Sequence, residues 1–191
     1  MDGRAPGHAR RGRLSAHRTS APIGAFVDQG DTYAPIRAAG SVDAMPLTGE
    51  YEPSPQRWVR EQVETYEASD GREANSLLDT GLPVIIVTTR GHRSGKLRKT
   101  PLMKVAHAGE YALVASKGGA PEHPEWYFNL VADPTAVMIQ DGPDPWDAVV
   151  REVDGDERAQ WWDRAVRAYP PYAEYQESTD RLIPVFIARP A

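Results

Sequence analysis

Apolar positions along the chain switch between two periods. Over residues 55–68 they recur at Val59, Val63 and Tyr66, the i, i+4, i+7 spacing of an amphipathic helix. Ser54 is placed to cap it, Pro55 to open it and Trp58 to extend its apolar face. A nearly unbroken apolar run then reads as a strand ending at Thr89, and a second strand follows from Arg98 to about Ala106. His107-Ala108-Gly109-Glu110 has hairpin-turn chemistry and leads into a strand over 111–116.

Helical spacing returns over 124–132 with Trp126, Tyr127, Leu130 and Val131, until Asp133-Pro134 stops it. Strands near 135–140 and 146–153 flank the turn Asp141-Gly142-Pro143-Asp144-Pro145. Asp154 and Glu157 resemble a capping box opening a helix through Trp161, Trp162, Ala165, Val166 and Tyr169. After Pro170-Pro171 a short helix is expected to about Ser178, and 183–188 reads as the last strand. Antiparallel strands in hairpins with helices between them predict a mainly β protein with helices, a small barrel with helical insertions.

Residues 1–44 show neither period and are rich in Gly, Ala, Arg, Ser and Pro. They are expected to be a disordered or loosely attached extension, with translation or the folded module starting near Met45. That leaves 45–191 as one domain, a length that supports a sizeable core.

Charge changes the picture. The extension has six arginines against four aspartates, net +2, so 45–191 carries −7 of the chain's total of −5. An acidic domain argues against general nucleic-acid binding, which needs a basic face. The chain has no cysteine, which removes disulfides, thiolate catalysis and cysteine metal sites. No apolar run approaches the roughly 20 residues of a spanning helix, so a cytoplasmic protein is expected. Trp58 leaves two roles open for the first helix, cover of a pocket or contact with a membrane surface.

Against this acidic background, Arg90, Arg93, Lys96, Arg98 and Lys99 place five fixed positive charges in ten residues, at the tip between the first two strands. A strand pair with Gly91 and Gly95 at its tip holds charges in a fixed frame and offers backbone N–H groups to an anion. The alternative is a solvated loop. The tip is not a P-loop, because three residues separate its glycines and no Ser or Thr follows Lys96. Nor is it a nucleophile elbow, since Ser94 directly precedes Gly95. The histidines show no paired-ligand spacing, and no metal is expected.

Two further segments carry candidate chemistry. Ala115-Ser116-Lys117-Gly118-Gly119 combines small residues, a hydroxyl and a cation at a strand end, where a flat ring could approach the backbone; it reads equally as a plain connector. Tyr169, Tyr172 and Tyr175 form a stripe at steps of three that suits either core packing or the wall of an opening for a planar, partly oxidised ligand.

Three ordered blocks together resemble the deazaflavin-dependent nitroreductase family of actinobacteria over 45–191. The first is Thr89-Arg90-Gly91-His92-Arg93-Ser94-Gly95 with Arg98-Lys99-Thr100-Pro101-Leu102. The second is Ala115-Ser116-Lys117-Gly118-Gly119-Ala120 with Pro124-Glu125-Trp126-Tyr127-Phe128-Asn129-Leu130. The third runs from Tyr169-Pro170 through Tyr172 and Tyr175 to Thr179-Asp180-Arg181-Leu182-Ile183-Pro184.

The resemblance implies a split β-barrel, the deazaflavin coenzyme F420 (8-hydroxy-5-deazaflavin), and F420H2-dependent reduction of a quinone, enone or nitroaromatic acceptor. Arg93, Ser94, Gly95, Arg98, Thr100 and Pro101 would then hold the coenzyme phosphate and acidic tail. Ala115, Ser116, Lys117 and Trp126 would lie near the deazaflavin, and Tyr172, Ser116, Tyr169 and Tyr175 would line the catalytic pocket, with the proton coming from Tyr172 or water. Met103 stands where nitroimidazole-reducing members carry a tyrosine, which speaks against efficient nitro reduction. Other readings of the same barrel are a non-catalytic carrier of F420 or of a lipid-like ligand, and an FMN-dependent oxidase. Either a monomer or a homodimer fits the pattern.

Overall fold

The structure, a computed structural model, describes residues 47–191; the expected extension over 1–44 and the start near Met45 lie outside the described residues. Seven strands form one sheet: β1 Val84–Arg90, β2 Leu97–Met103, β3 Ala106–His107, β4 Glu110–Val114, β5 Val137–Gln140, β6 Pro145–Glu152 and β7 Val185–Pro190. Four helices accompany them: α1 Arg57–Ala68, α2 Glu125–Ala132, α3 Gly155–Ala168 and α4 Pro171–Glu177.

The strand order is β2-β1-β5-β6-β7-β4-β3, antiparallel throughout. Its two outer members, β2 and β3, are separated in the chain by Lys104 and Val105 alone. Two residues of extended chain reach only about 7 Å, so the sheet has to curl until its edges meet. The Lys104 N–H donates to the Pro83 oxygen at 2.9 Å in line with the β1–β2 ladder, and the Ala112 N–H to the Val105 oxygen at 2.8 Å in line with the β3–β4 ladder, so two consecutive residues belong to the two opposite edges. The result is the curled half-barrel of the split-barrel fold, as the resemblance implied.

Both faces of the curled sheet are covered. Ile85, Val87, Leu113, Val137, Ile139 and Phe186 pack on one face with Trp126 and Leu130 of α2. Val84, Ile86, Val114, Val185 and Ile187 pack on the other with Val59, Val63 and Tyr66 of α1 and Trp161 and Ala165 of α3. Burial on both faces explains why β1, β4 and β7 read as apolar runs rather than alternating strands.

Several local expectations need correction. The first helix begins at Arg57 with Gln56 at the capping position, because the Ser54 hydroxyl already accepts the Gln56 N–H at 3.2 Å and leaves Pro55 outside. Trp58 is 47 % exposed and belongs to the solvent side of α1, off the Val59–Val63–Tyr66 face. Asp154 makes no side-chain cap, and Glu157 turns instead to Arg151 in a two-pronged ion pair at 2.5 and 2.8 Å. The expected strand to Ala106 breaks after Met103, where the chain passes from one edge of the sheet to the other. No helix among the described residues is long and apolar enough to cross a membrane.

Candidate active site

The basic tip closes as a loop between β1 and β2. The Gly91 N–H donates to the Lys96 oxygen and the Gly95 N–H to the Gly91 oxygen, each at 2.8 Å. A Cβ on Gly91 would lie 2.8 Å from the Ser94 hydroxyl, so the tight loop admits no side chain there. Asn129 of α2 fixes the loop from below. Its buried Oδ1 accepts the His92 N–H at 3.0 Å and lies 2.9 Å from His92 Nδ1, and its Nδ2 donates to Thr89 Oγ1 at 3.0 Å.

Most of the tip's cations are already engaged. Lys96 Nζ lies 2.8 Å from a Glu50 oxygen, Arg98 Nη2 2.5 Å from Glu52 Oε2, and Lys99 Nζ 2.5 Å from Glu67. Arg90 donates to the Gly95 and Thr48 oxygens, both at 3.1 Å. Arg93, Ser94 and Gly95 are exposed, Thr100 is half-buried and Pro101 is buried in β2. Arg93 has no ion pair among the described residues, so its charge is carried at the surface without compensation.

Two of the acidic partners, Glu50 and Glu52, arrive on the segment ahead of α1, while Glu67 belongs to α1 itself. The Leu97 N–H donates to the Glu50 oxygen at 2.8 Å and the Glu52 N–H to the Leu97 oxygen at 3.0 Å, so this segment lies along the first residue of β2.

After β4, Ser116 leads into a 3₁₀ turn over Lys117–Gly119 in which all three residues take left-handed backbone. Arg181 spans this loop, donating to the oxygens of Ser116 at 2.7 Å, Ala120 at 2.9 Å and Ala115 at 3.1 Å. Its Nη1 also lies 3.4 Å from His123 Nδ1. Burial lowers the His123 pKa and the Arg181 charge adds to that, so the imidazole is held neutral, stacked at 4.1 Å on Tyr127. Lys117 itself is exposed and lies 3.6 Å from Glu122.

The loop meets the tyrosines through Gly119, where a Cβ would fall 2.1 Å from Ser178 Oγ and 2.8 Å from the Tyr175 oxygen. Tyr169, Tyr172 and Tyr175 form a mutual ring cluster with centroids 5.0–6.3 Å apart. The Tyr169 and Tyr175 hydroxyls are 3.1 Å apart, and this bond, with burial, pushes the Tyr169 pKa up to about 12. Tyr172 is buried, 5 % exposed, and burial pushes its phenol far above the ordinary range. At neutral pH Tyr169 and Tyr172 are therefore phenols, not phenolates.

The three blocks therefore converge. His92 of the tip packs on Phe128 at 5.8 Å, Phe128 on His123 at 6.1 Å, His123 meets Arg181, and Arg181 holds the loop that abuts α4. Trp126 stands apart from this surface, buried edge-on against Phe186 beneath α2. Asn129, Arg181, Glu50 and Glu52 shape the site without having been given a role from sequence. Their partners lie 37 to 66 residues away, and the one signal available was that Asn129 and Arg181 sit inside the motif blocks.

The chain matches the family model described as F420H(2)-dependent quinone reductase over residues 58–190. Rv3178 of Mycobacterium tuberculosis H37Rv, which carries that family name, is 38 % identical over 110 residues, 57 % of this chain and 91 % of its own length. Among solved structures, an F420-H2 dependent reductase, FDR-A, is 58 % identical, covering 56 % of this chain and 94 % of that one at a TM-score of 0.53. Another, a domain-swapped dimer, is 53 % identical over 71 % of this chain and 100 % of that one at a TM-score of 0.56.

Proposed function

We propose, for a chain that belongs to the F420H(2)-dependent quinone reductase family, that it reduces a quinone by two electrons at the surface where the 115–120 loop meets Tyr169, Tyr172 and Tyr175. When bound, reduced F420 supplies a hydride to the acceptor. The residues present suit that group. Its phosphate and glutamyl tail are anionic, and the carboxylate oxygens seated on Lys96 and Arg98 support a rim that takes acidic oxygens. Arg93, Ser94 and Gly95 offer an exposed guanidinium with no ion pair among the described residues, a hydroxyl and exposed backbone at the same tip, beside Thr100 and Pro101 on β2.

The observation that carries the reading is the contiguous run from the basic tip through His123 and Arg181 to the tyrosine cluster. A ligand anionic at one end and aromatic at the other has a place at each end of it. Ala115, Ser116 and Lys117 bring backbone and a hydroxyl to the ring, whereas Trp126 packs on Phe186 in the core.

The tyrosines orient the acceptor and exclude water. Tyr172 and Tyr169 hold their protons too tightly to ionise at neutral pH, so they donate hydrogen bonds to the acceptor oxygen as charge develops there. Water then completes the hydroquinone with a proton. Enones, whose carbonyl oxygen gains charge in the same way, are the next acceptors to expect; nitroaromatics are the weakest candidates, since buried Met103 offers no hydroxyl at its position. The homodimer is the assembly we favour, on the precedent of the domain-swapped relative.

Titration of the protein into oxidised F420, followed by oxidation of the reduced coenzyme with menadione, tests the reading. Saturable binding with menadione-dependent oxidation is expected. Binding without turnover would make the protein a carrier, and absence of binding would end the coenzyme assignment.

A further inference from the structure

Arg181 sits between α4 and β7, some 60 residues beyond the loop it holds. One planar guanidinium reaches three backbone oxygens there, at 2.7, 2.9 and 3.1 Å, and no carboxylate among the described residues neutralises it at ion-pair distance. The loop it holds is conformationally expensive. Lys117, Gly118 and Gly119 have φ of 48°, 64° and 78°, three left-handed residues in succession, the first of them with a side chain that disfavours that region. Such backbone persists only where its surroundings over-determine it. Charge-assisted bonds to carbonyls on both sides of the turn do so here.

The loop is also the joint of the site, because Gly119 seats directly against Tyr175 of α4 and Ser178, which caps its C-terminus. A shift of Gly119 would displace the tyrosine helix, or be blocked by it. Arg181 thus controls two surfaces, the Ala115–Ser116 backbone and the placement of the tyrosines.

We propose that Arg181 is a positioning residue: through the carbonyls of Ala115, Ser116 and Ala120 it sets the loop against which the coenzyme ring rests. This rests on the coenzyme reading above. Arg181 acts through backbone, and its own contact with coenzyme or acceptor is not required.

Arg181→Lys is the primary test, since it keeps the charge and loses the planar fork. Expected are an intact fold by circular dichroism, amide exchange over residues 117–120 faster by about tenfold, and a dissociation constant for oxidised F420 raised by about tenfold, in line with loss of charge-assisted bonds. With menadione, kcat should fall more than KM rises. Arg181→Gln should show larger shifts in the same direction, and if it fails to fold the Lys variant decides alone. Wild-type exchange in the Lys variant, or faster exchange with unchanged F420 affinity, overturns the assignment. A wild-type protein that binds no F420 overturns the coenzyme reading and this role together, whereas a binding wild type with an indifferent Lys variant overturns Arg181 only.

Discussion

Glu52 lays its carboxylate 2.5 Å from the Arg98 guanidinium, and its backbone oxygen takes a second, longer bond from the same side chain at 3.5 Å. One residue pair to the side, Glu50 does the same to Lys96 at 2.8 Å. The chain thus brings two carboxylates of its own to the cations proposed to hold an anionic ligand. Oxygen geometry is shared between a carboxylate and a phosphate, so ligand and Glu52 compete for one guanidinium.

Glu52→Gln should therefore tighten F420 binding by about threefold to tenfold at low salt, with the gain shrinking as salt screens the competition. Side chains here are 33 % and 41 % exposed, and an exposed pair contributes at most about 1 kcal/mol, so stability should hardly change. Fluorescence titration of the two proteins at low and high ionic strength checks this. Weaker binding by the Gln variant would instead make Glu52 an orienting partner of Arg98.

The Tyr169–Tyr175 pair has a pH signature. An unfolded phenol ionises near 10, whereas Tyr169 in the fold holds its proton up to about 12, first through the Tyr175 hydrogen bond and then through burial. Between those values the native state binds more protons than the unfolded chain, so stability falls as pH rises. The contribution is whole below about 10 and is lost through about 12. Tyr169→Phe should flatten that stretch of the stability curve and cost about 0.5–1.5 kcal/mol at neutral pH for the missing bond. Urea unfolding at several alkaline pH values would reveal it, and an unchanged slope would remove Tyr169 as its source.

Gly119→Ala tests the joint between loop and helix. The new methyl would meet Ser178 Oγ, which can rotate away, and the Tyr175 backbone oxygen at 2.8 Å, which cannot, at a φ of 78°. A destabilisation of about 1–3 kcal/mol follows from the clash and the left-handed backbone. Ser178→Ala in the same chain should recover little of it. Full recovery in the double variant would locate the strain in the serine alone.

The elements were legible where periodicity and turn chemistry are local. β1, β4 and β7 announce themselves as apolar runs because both faces are buried, and Ala108-Gly109 turns the β3–β4 hairpin with both residues left-handed. Helix starts were less legible, because caps are contested. Ser54 bonds one residue too early to cap α1, and Glu157 finds Arg151 across a turn before it can serve Asp154. At the site, the basic tip, glycine loop and tyrosine stripe could be picked out by composition. What ties them together could not: Asn129 reaches the tip across 37 residues, and Arg181 reaches the loop across more than 60. Such contacts are decided by how the sheet curls, and no local pattern encodes them.

Arg93 and Lys96 separate free charge from shared charge on the same tip. Arg93 is exposed and has no ion pair among the described residues, so its guanidinium meets an incoming anion with nothing to displace. Lys96 must first release Glu50, and that exchange cancels part of its gain. Arg93→Ala should accordingly weaken F420 binding by about tenfold, and Lys96→Ala by only about threefold, as expected for one uncompensated and one compensated cation. The two variants should differ in salt response as well, Arg93→Ala showing the flatter dependence because it has lost the larger attraction that salt screens. Equal losses in both would mean that Glu50 does not compete at Lys96, and a larger loss in Lys96→Ala would move the anion contact from the outer tip to the base of β2.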